Sequence, residues 1–140
     1  MRKVTFLTST FFLCLVFTVS AQSYLPSKYK HKLVNLRVLQ GVELLSTTNG
    51  IGEAKMIPAS LDSYDLVINF QEHNIVIRNY SVVKTSEFQG MIMKEIQGED
   101  KTLKATLVYD MNNQLTMIHV KDQLTRTFAT DKLPPLPKGH

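Results

Sequence analysis

The 140-residue sequence has no tryptophan, one cysteine, six glycines and five prolines. Each scarcity removes a class of explanation. The single cysteine, Cys14, lies in an apolar stretch near the N-terminus, so no disulfide framework can staple the body of the chain. For the same reason no cysteine-based zinc set can form. Three of the five prolines, Pro134, Pro135 and Pro137, crowd into the last seven residues. Apart from Pro26 and Pro58, the rest of the chain is therefore open to ladder hydrogen bonding, which proline would interrupt.

Motifs for chemistry are missing too. The four histidines, at 31, 73, 119 and 140, show no H-x-H or H-E-x-x-H spacing. No G-x-S-x-G elbow surrounds a serine. The glycines of "NGIG", Asn49 to Gly52, precede no helix that could aim N–H groups at a phosphate, and the stretch reads as a turn. Asp62 and Asp65 flank a strand entrance and Glu99–Asp100 make a turn tip, so no carboxylate pair is set across a cleft by spacing. No catalytic residue, metal or cofactor is assigned, and a binding role is expected over an enzymatic one.

The ends of the chain carry the clearest signals. Arg2 and Lys3 precede the apolar run "FFLCLVF", and "VSA" supplies the small residues of a cleavage site. Residues 1–21 read as a secretory signal peptide cut after Ala21. Removing them takes away two cations and no acid, leaving 119 residues with 14 Lys and Arg against 12 Asp and Glu. That balance, without a basic stripe interleaved with aromatics, argues against a nucleic-acid partner. An exported chain without disulfides suits a bacterial periplasm or cell surface, with no transmembrane anchor once the signal is gone. Residues 22–32 read as a basic leader ending in "KYKHK", 33–131 as one β-rich domain, and 132–140 as a proline-rich tail.

Short runs of Val, Ile, Leu, Phe and Thr recur through the body with turn residues between them. Strands are expected at Asn35–Leu39, Val42–Thr47, Tyr64–Phe70, Ile75–Tyr80, Glu87–Gln97, Thr102–Asp110, Leu115–Lys121 and Leu124–Thr130. Their spacing predicts an all-β antiparallel meander of about eight strands, closed into a small barrel or strongly curved sheet. The alternative is an α+β fold with one N-terminal helix over Tyr29–Leu45, where Leu33, Leu36, Gln40 and Leu44 fall near helical spacing.

Registers follow from pairing outward from each turn. In "DLVINFQEHNIVIRNY" a Gln71–Asn74 loop sets Phe70 opposite Ile75, lifts His73 to an exposed tip and puts Asn79 on the apolar face. A turn at Glu99–Asp100 sets Ile96 opposite Leu103, Glu95 opposite Lys104, Ile92 opposite Leu107, and Tyr109 over the exposed backbone of Gly90. A turn at Asn112–Asn113 pairs Leu107 with Ile118 and Tyr109 with Thr116. The face of His119 is left open, and a last turn at Asp122–Gln123 would bring it beside Arg126. Met91, Met93, Met111 and Met117 read as core filling.

Lys94 falls on the apolar face of its strand, which is costly for an ammonium without a partner or water. Lys94, Asn79, Thr116 and Tyr109 are therefore the expected ligand contacts, a few polar groups in a mostly apolar cavity. The function expected is an exported barrel that carries or senses an apolar or amphipathic small molecule in its interior. The alternative is an interaction module that binds an envelope protein or polysaccharide through an outer face or sheet edge.

Overall fold

The computed structural model describes residues 29–133. The expected signal peptide with Cys14, the leader up to Lys28, and the tail from Pro134 to His140 lie outside the described residues. Eight antiparallel strands follow one another around a closed barrel. They are β1 (Lys30–Gln40), β2 (Glu43–Pro58), β3 (Tyr64–Phe70), β4 (His73–Phe88), β5 (Met91–Gln97), β6 (Lys104–Tyr109), β7 (Leu115–Lys121) and β8 (Thr125–Ala129). The β1–β8 ladder, from Asn35↔Ala129 to Leu39↔Thr125, completes the ring. A closed ring leaves no open sheet edge. The stretch Tyr29–Leu45 holds no long helix: it is β1, a turn at Gly41–Val42 and the start of β2, and in β1 Leu36 and Val38 face inward while Arg37 faces out.

Alternation builds the wall. In β3, Leu66, Ile68 and Phe70 are fully buried while Asp65, Val67 and Asn69 face the other way. Phe70 and Phe128 meet edge-to-face at 6.2 Å between ring centroids. Around them Leu33, Leu36, Leu107 and Ile118 fill the interior, each no more than 2 % exposed. Each such side chain contributes about 1.5–3 kcal/mol on burial, so the filled interior, not any turn, dominates stability.

The turns use side chains suited to their backbones. Gln89 and Gly90 both have positive φ, 52° and 79°, the combination a two-residue hairpin matched to strand twist requires. Asp110 Oδ1 accepts from the backbone N–H groups of Asn112 and Gln114, both at 2.9 Å. Asp122 Oδ1 does the same for Leu124 at 2.9 Å, an aspartate closing its own turn.

Several sequence expectations need correction. β5 does not begin at Glu87: β4 runs on to Phe88, and the Gln89–Gly90 turn divides the expected strand in two. "NGIG" is no turn but lies within β2, where Gly52 pairs with Phe70. The β3–β4 hairpin turns at Gln71–Glu72, so His73 is the first residue of β4 and pairs with Phe70. It is half-buried, with its ring edge-on to Phe128 at 6.4 Å, and is not a loop tip. Ile96 pairs with Ala105 and Glu95 with Thr106, a slip of two residues from the expected register. The expected Met residues are not core: Met111 is 83 % exposed, and Met56 is the methionine in the core cluster.

Candidate functional site

In an up-and-down ring the connections alternate between the two ends. The β2–β3, β4–β5 and β6–β7 connections therefore gather at one end, together with the start of β1. At that end the packed interior gives way to a cavity of about 270 Å³. Met56 and Leu107 line its floor side, Lys94 and Val82 its wall, and Asp62 and Ser81 complete it. Four of the five tyrosines of the chain, Tyr29, Tyr64, Tyr80 and Tyr109, surround it.

Strand alternation explains how most of these side chains arrive. Tyr64 continues the inward row of Leu66, Ile68 and Phe70. Lys94 lies opposite Leu107, and Ile92 opposite Tyr109, so all four share the inner face. Tyr80 needs a further device. Tyr64 pairs with Tyr80 but Leu66 pairs with Ile77, so an extra residue bulges from β4 between them. The bulge turns Tyr80 inward and Asn79 outward, re-aiming a side chain at the rim of a barrel as bulges commonly do.

The aromatic groups contact one another. The Tyr64 and Tyr80 rings are 5.7 Å apart at a tilt of 30°. The Lys94 ammonium stands 5.0 Å above the centre of the Tyr109 ring, within the range of a cation–π attraction. Tyr109 directs its hydroxyl at the Sδ of Met56, 4.0 Å away. Burial pushes the Tyr80 phenol well above its ordinary range, helped by the neighbouring Tyr109 and Tyr64. Burial likewise raises Tyr109. Both hydroxyls therefore remain protonated donors at physiological pH.

Of the four residues expected from the sequence, Lys94 and Tyr109 line the cavity and Asn79 and Thr116 do not. Asn79 is exposed, with a φ of 52°. Its Nδ2 donates to Glu99 Oε1 at 2.9 Å, its Oδ1 accepts from Ser63 Oγ at 3.1 Å, and its backbone N–H donates to Asp65 Oδ1 at 2.8 Å. It fastens two loops to the outside of the wall. Thr116 occupies a second bulge, where Val108 pairs with Met117 but Tyr109 pairs with Leu115. Its hydroxyl donates to the Val108 carbonyl at 3.1 Å, and Leu115 takes the inward place expected for it.

Comparison with family models, curated proteins and solved structures finds no match.

None of His31, His73 and His119 lines the cavity. His119 is on the outer face opposite Thr127, not beside Arg126, and its Nδ1 lies 2.8 Å from Thr127 Oγ1. Burial holds its pKa below the ordinary value. Among the described residues no three His, Cys, Asp or Glu side chains gather as a metal site. A second hollow of about 260 Å³ involves Glu95, Gln97, Lys104 and Thr106. Register points these four outward, which makes it a feature of the wall and not of the barrel's end.

The residues missed were Tyr64, Tyr80, Tyr29, Met56 and Asp62. A usable signal existed for Tyr64. An inward tyrosine keeps its ring among apolar groups but must give its hydroxyl a polar outlet, so an inward tyrosine at a strand terminus marks the open end of a barrel.

Proposed function

We propose that this chain binds a small amphipathic molecule at the open end of its barrel, and that it does so outside the cytoplasm. The observation that supports this most is the concentration of four tyrosines and one inward lysine around a cavity at one end of a filled barrel. Ligand sites commonly combine aromatic and apolar walls with a few fixed polar groups. The expected lumen site moves to the mouth, because Phe70, Phe128 and their neighbours occupy the interior. The extracytoplasmic location rests on the N-terminal pattern of charge, apolar run and small residues.

Native mass spectrometry of the protein purified from the cells that make it tests the reading. A stoichiometric small molecule that is lost on Tyr64→Ala substitution supports it. An empty chain that co-purifies with a macromolecule contradicts it.

A second reading, an interaction module for an envelope protein or polysaccharide, is favoured by one feature. The tip of the β1–β2 hairpin exposes Val42, Leu44 and Leu45 at 75, 45 and 47 %. Apolar groups clustered in this way are a common mark of protein contact. That tip is at the end of the barrel away from the tyrosines, so the two readings are tested separately.

A further inference from the structure

The tyrosine-lined mouth has an electrostatic sign. Lys94 is half-buried in the wall, flanked on its own strand by inward Ile92 and Ile96 and facing Leu107 across the ladder. Ion pairs among the described residues join Lys55 to Glu53 and Arg126 to Asp122, and neither involves Lys94. The acids placed closest to it by register and lining are Glu87 and Asp62, both exposed, and neither forms an ion pair with it. Its recorded partner is the face of Tyr109.

A cation–π contact contributes about 0.5–2 kcal/mol. Withdrawing an ammonium fully from water costs several kcal/mol. The aromatic face thus offsets only part of the penalty once a ligand closes the mouth and excludes water. A ligand that brings its own negative charge removes the deficit; a neutral ligand deepens it.

The hydroxyls agree with the ammonium. Tyr109 reaches only a thioether at 4.0 Å, and sulfur is a weak acceptor. Its donor therefore remains available for a better acceptor. Tyr80, kept protonated by burial, is a second donor on the same cavity. Asp62 is the lining carboxylate, on the exposed β2–β3 connection, where solvent and salt screen it. The cavity, about 270 Å³, is just under the ~300–1,000 Å³ usual for ligand pockets. It suits a body of one or two rings and not a long acyl chain.

We infer that the ligand of the mouth is a monoanion, a carboxylate carried on a compact aromatic or apolar body, with Lys94 as its counter-ion. This rests on the binding reading above and gives that reading a charge and a size. The rings of Tyr64 and Tyr80 pack the body, and Lys94 with the Tyr109 hydroxyl receives the head group.

Titration calorimetry with two probes of nearly the same shape tests it: naphthoate, an anion, and naphthylmethanol, its neutral counterpart. Naphthoate is expected to bind about tenfold more tightly or better, since a hydrogen bond to a charged group is worth ~1.5–3 kcal/mol. Lys94→Met keeps the apolar stem and removes the charge. It should abolish the preference by weakening naphthoate, with naphthylmethanol binding no more weakly than before, and Lys94→Arg should retain part of the preference. A salt series on the unsubstituted protein gives a second measure that needs no variant: naphthoate should weaken with salt and naphthylmethanol should not. If both probes bind equally, with no salt dependence and no effect of Lys94→Met, the anion inference falls and the mouth remains a binding site. If neither probe binds, both fall.

Discussion

Gly52 is the place where the wall has least room, and Gly52→Ala is the sharpest test of the packing. A Cβ there would stand 2.5 Å from Phe70 Cδ2, 2.6 Å from the Asn69 carbonyl oxygen and 2.9 Å from Phe70 Cα. Favourable contacts between carbon atoms begin near ~3.5 Å. Two of the three obstacles are β3 backbone, which no rotamer change can move. The third is the ring of Phe70, fully buried and boxed in by Phe128. β2 and β3 must therefore separate locally by roughly 0.5–1 Å, judged against that contact distance. Overpacking of this kind costs about 1–3 kcal/mol, and replacing a strand glycine returns ~0.5–1 kcal/mol of chain entropy. The net expectation is a loss of about 1.3 kcal/mol, or a fall in Tm of ~5 °C at about 4 °C per kcal/mol for a domain of this size.

Gly50→Ala is the matched control on the same strand. Its closest obstacle is Gln71 Nε2 at 2.7 Å, the far end of an exposed, flexible side chain, and the Phe70 ring, at 3.2 Å through Cζ, needs to give only a few tenths of an ångström, with no backbone atom in the way. That change should stay within about 0.5 kcal/mol of the parent. Urea unfolding followed by far-ultraviolet circular dichroism and tyrosine fluorescence measures both, since the chain has no tryptophan. Equal midpoints for the two variants would refute the close approach of Gly52 to β3.

The bulge at Asn79 predicts an ordering of two substitutions. Asn79→Ala loses the bonds to Glu99 and Ser63 and places a Cβ-bearing residue without Asn's local bonding at positive φ, so it should cost about 1.5–2.5 kcal/mol. Asn79→Gly loses the same bonds without the strain and should cost ~1 kcal/mol less in urea unfolding; the reverse order would contradict the bulge. His119 predicts a pH dependence. Its folded pKa lies below the ordinary 6.5, so its share of stability is complete above that value and is lost as pH falls through it toward the folded pKa. The urea midpoint should therefore drop between about pH 7.5 and 5.5, and His119→Gln should flatten the decline.

The fold was legible in the sequence because its signal is repeated in every strand. β3 and β7 have the bounds expected from alternation alone, and the meander order follows from hairpin-length connections. Registers were harder, and the size of each error decided its consequence. The β5–β6 pairing was misplaced by two residues, and an even slip keeps every side chain on its face. Lys94 and Tyr109 therefore reached the mouth despite the wrong partners. Asn79 and Thr116 failed for a common reason: each occupies a bulge that exchanges its face with that of its neighbour, Tyr80 and Leu115 respectively. A bulge adds one residue without disturbing composition or period beyond its own position, so alternation cannot reveal it. The expectation of an aromatic covering a strand glycine was sound in kind but wrong in place, since Phe70 covers Gly52 and Tyr109 does not cover Gly90.

The central claim is that the tyrosine-lined end of the barrel is where a small molecule binds. Carbon-13 labelling of the methionine methyl groups tests it most directly, because Met56 lines the cavity while Met111 is exposed on the β6–β7 connection. During a naphthoate titration the Met56 methyl resonance should shift and saturate, with Met91, Met93 and Met117 on the outer wall unmoved. A titration that leaves Met56 unchanged while an outer-wall methionine responds would place binding elsewhere and contradict the account.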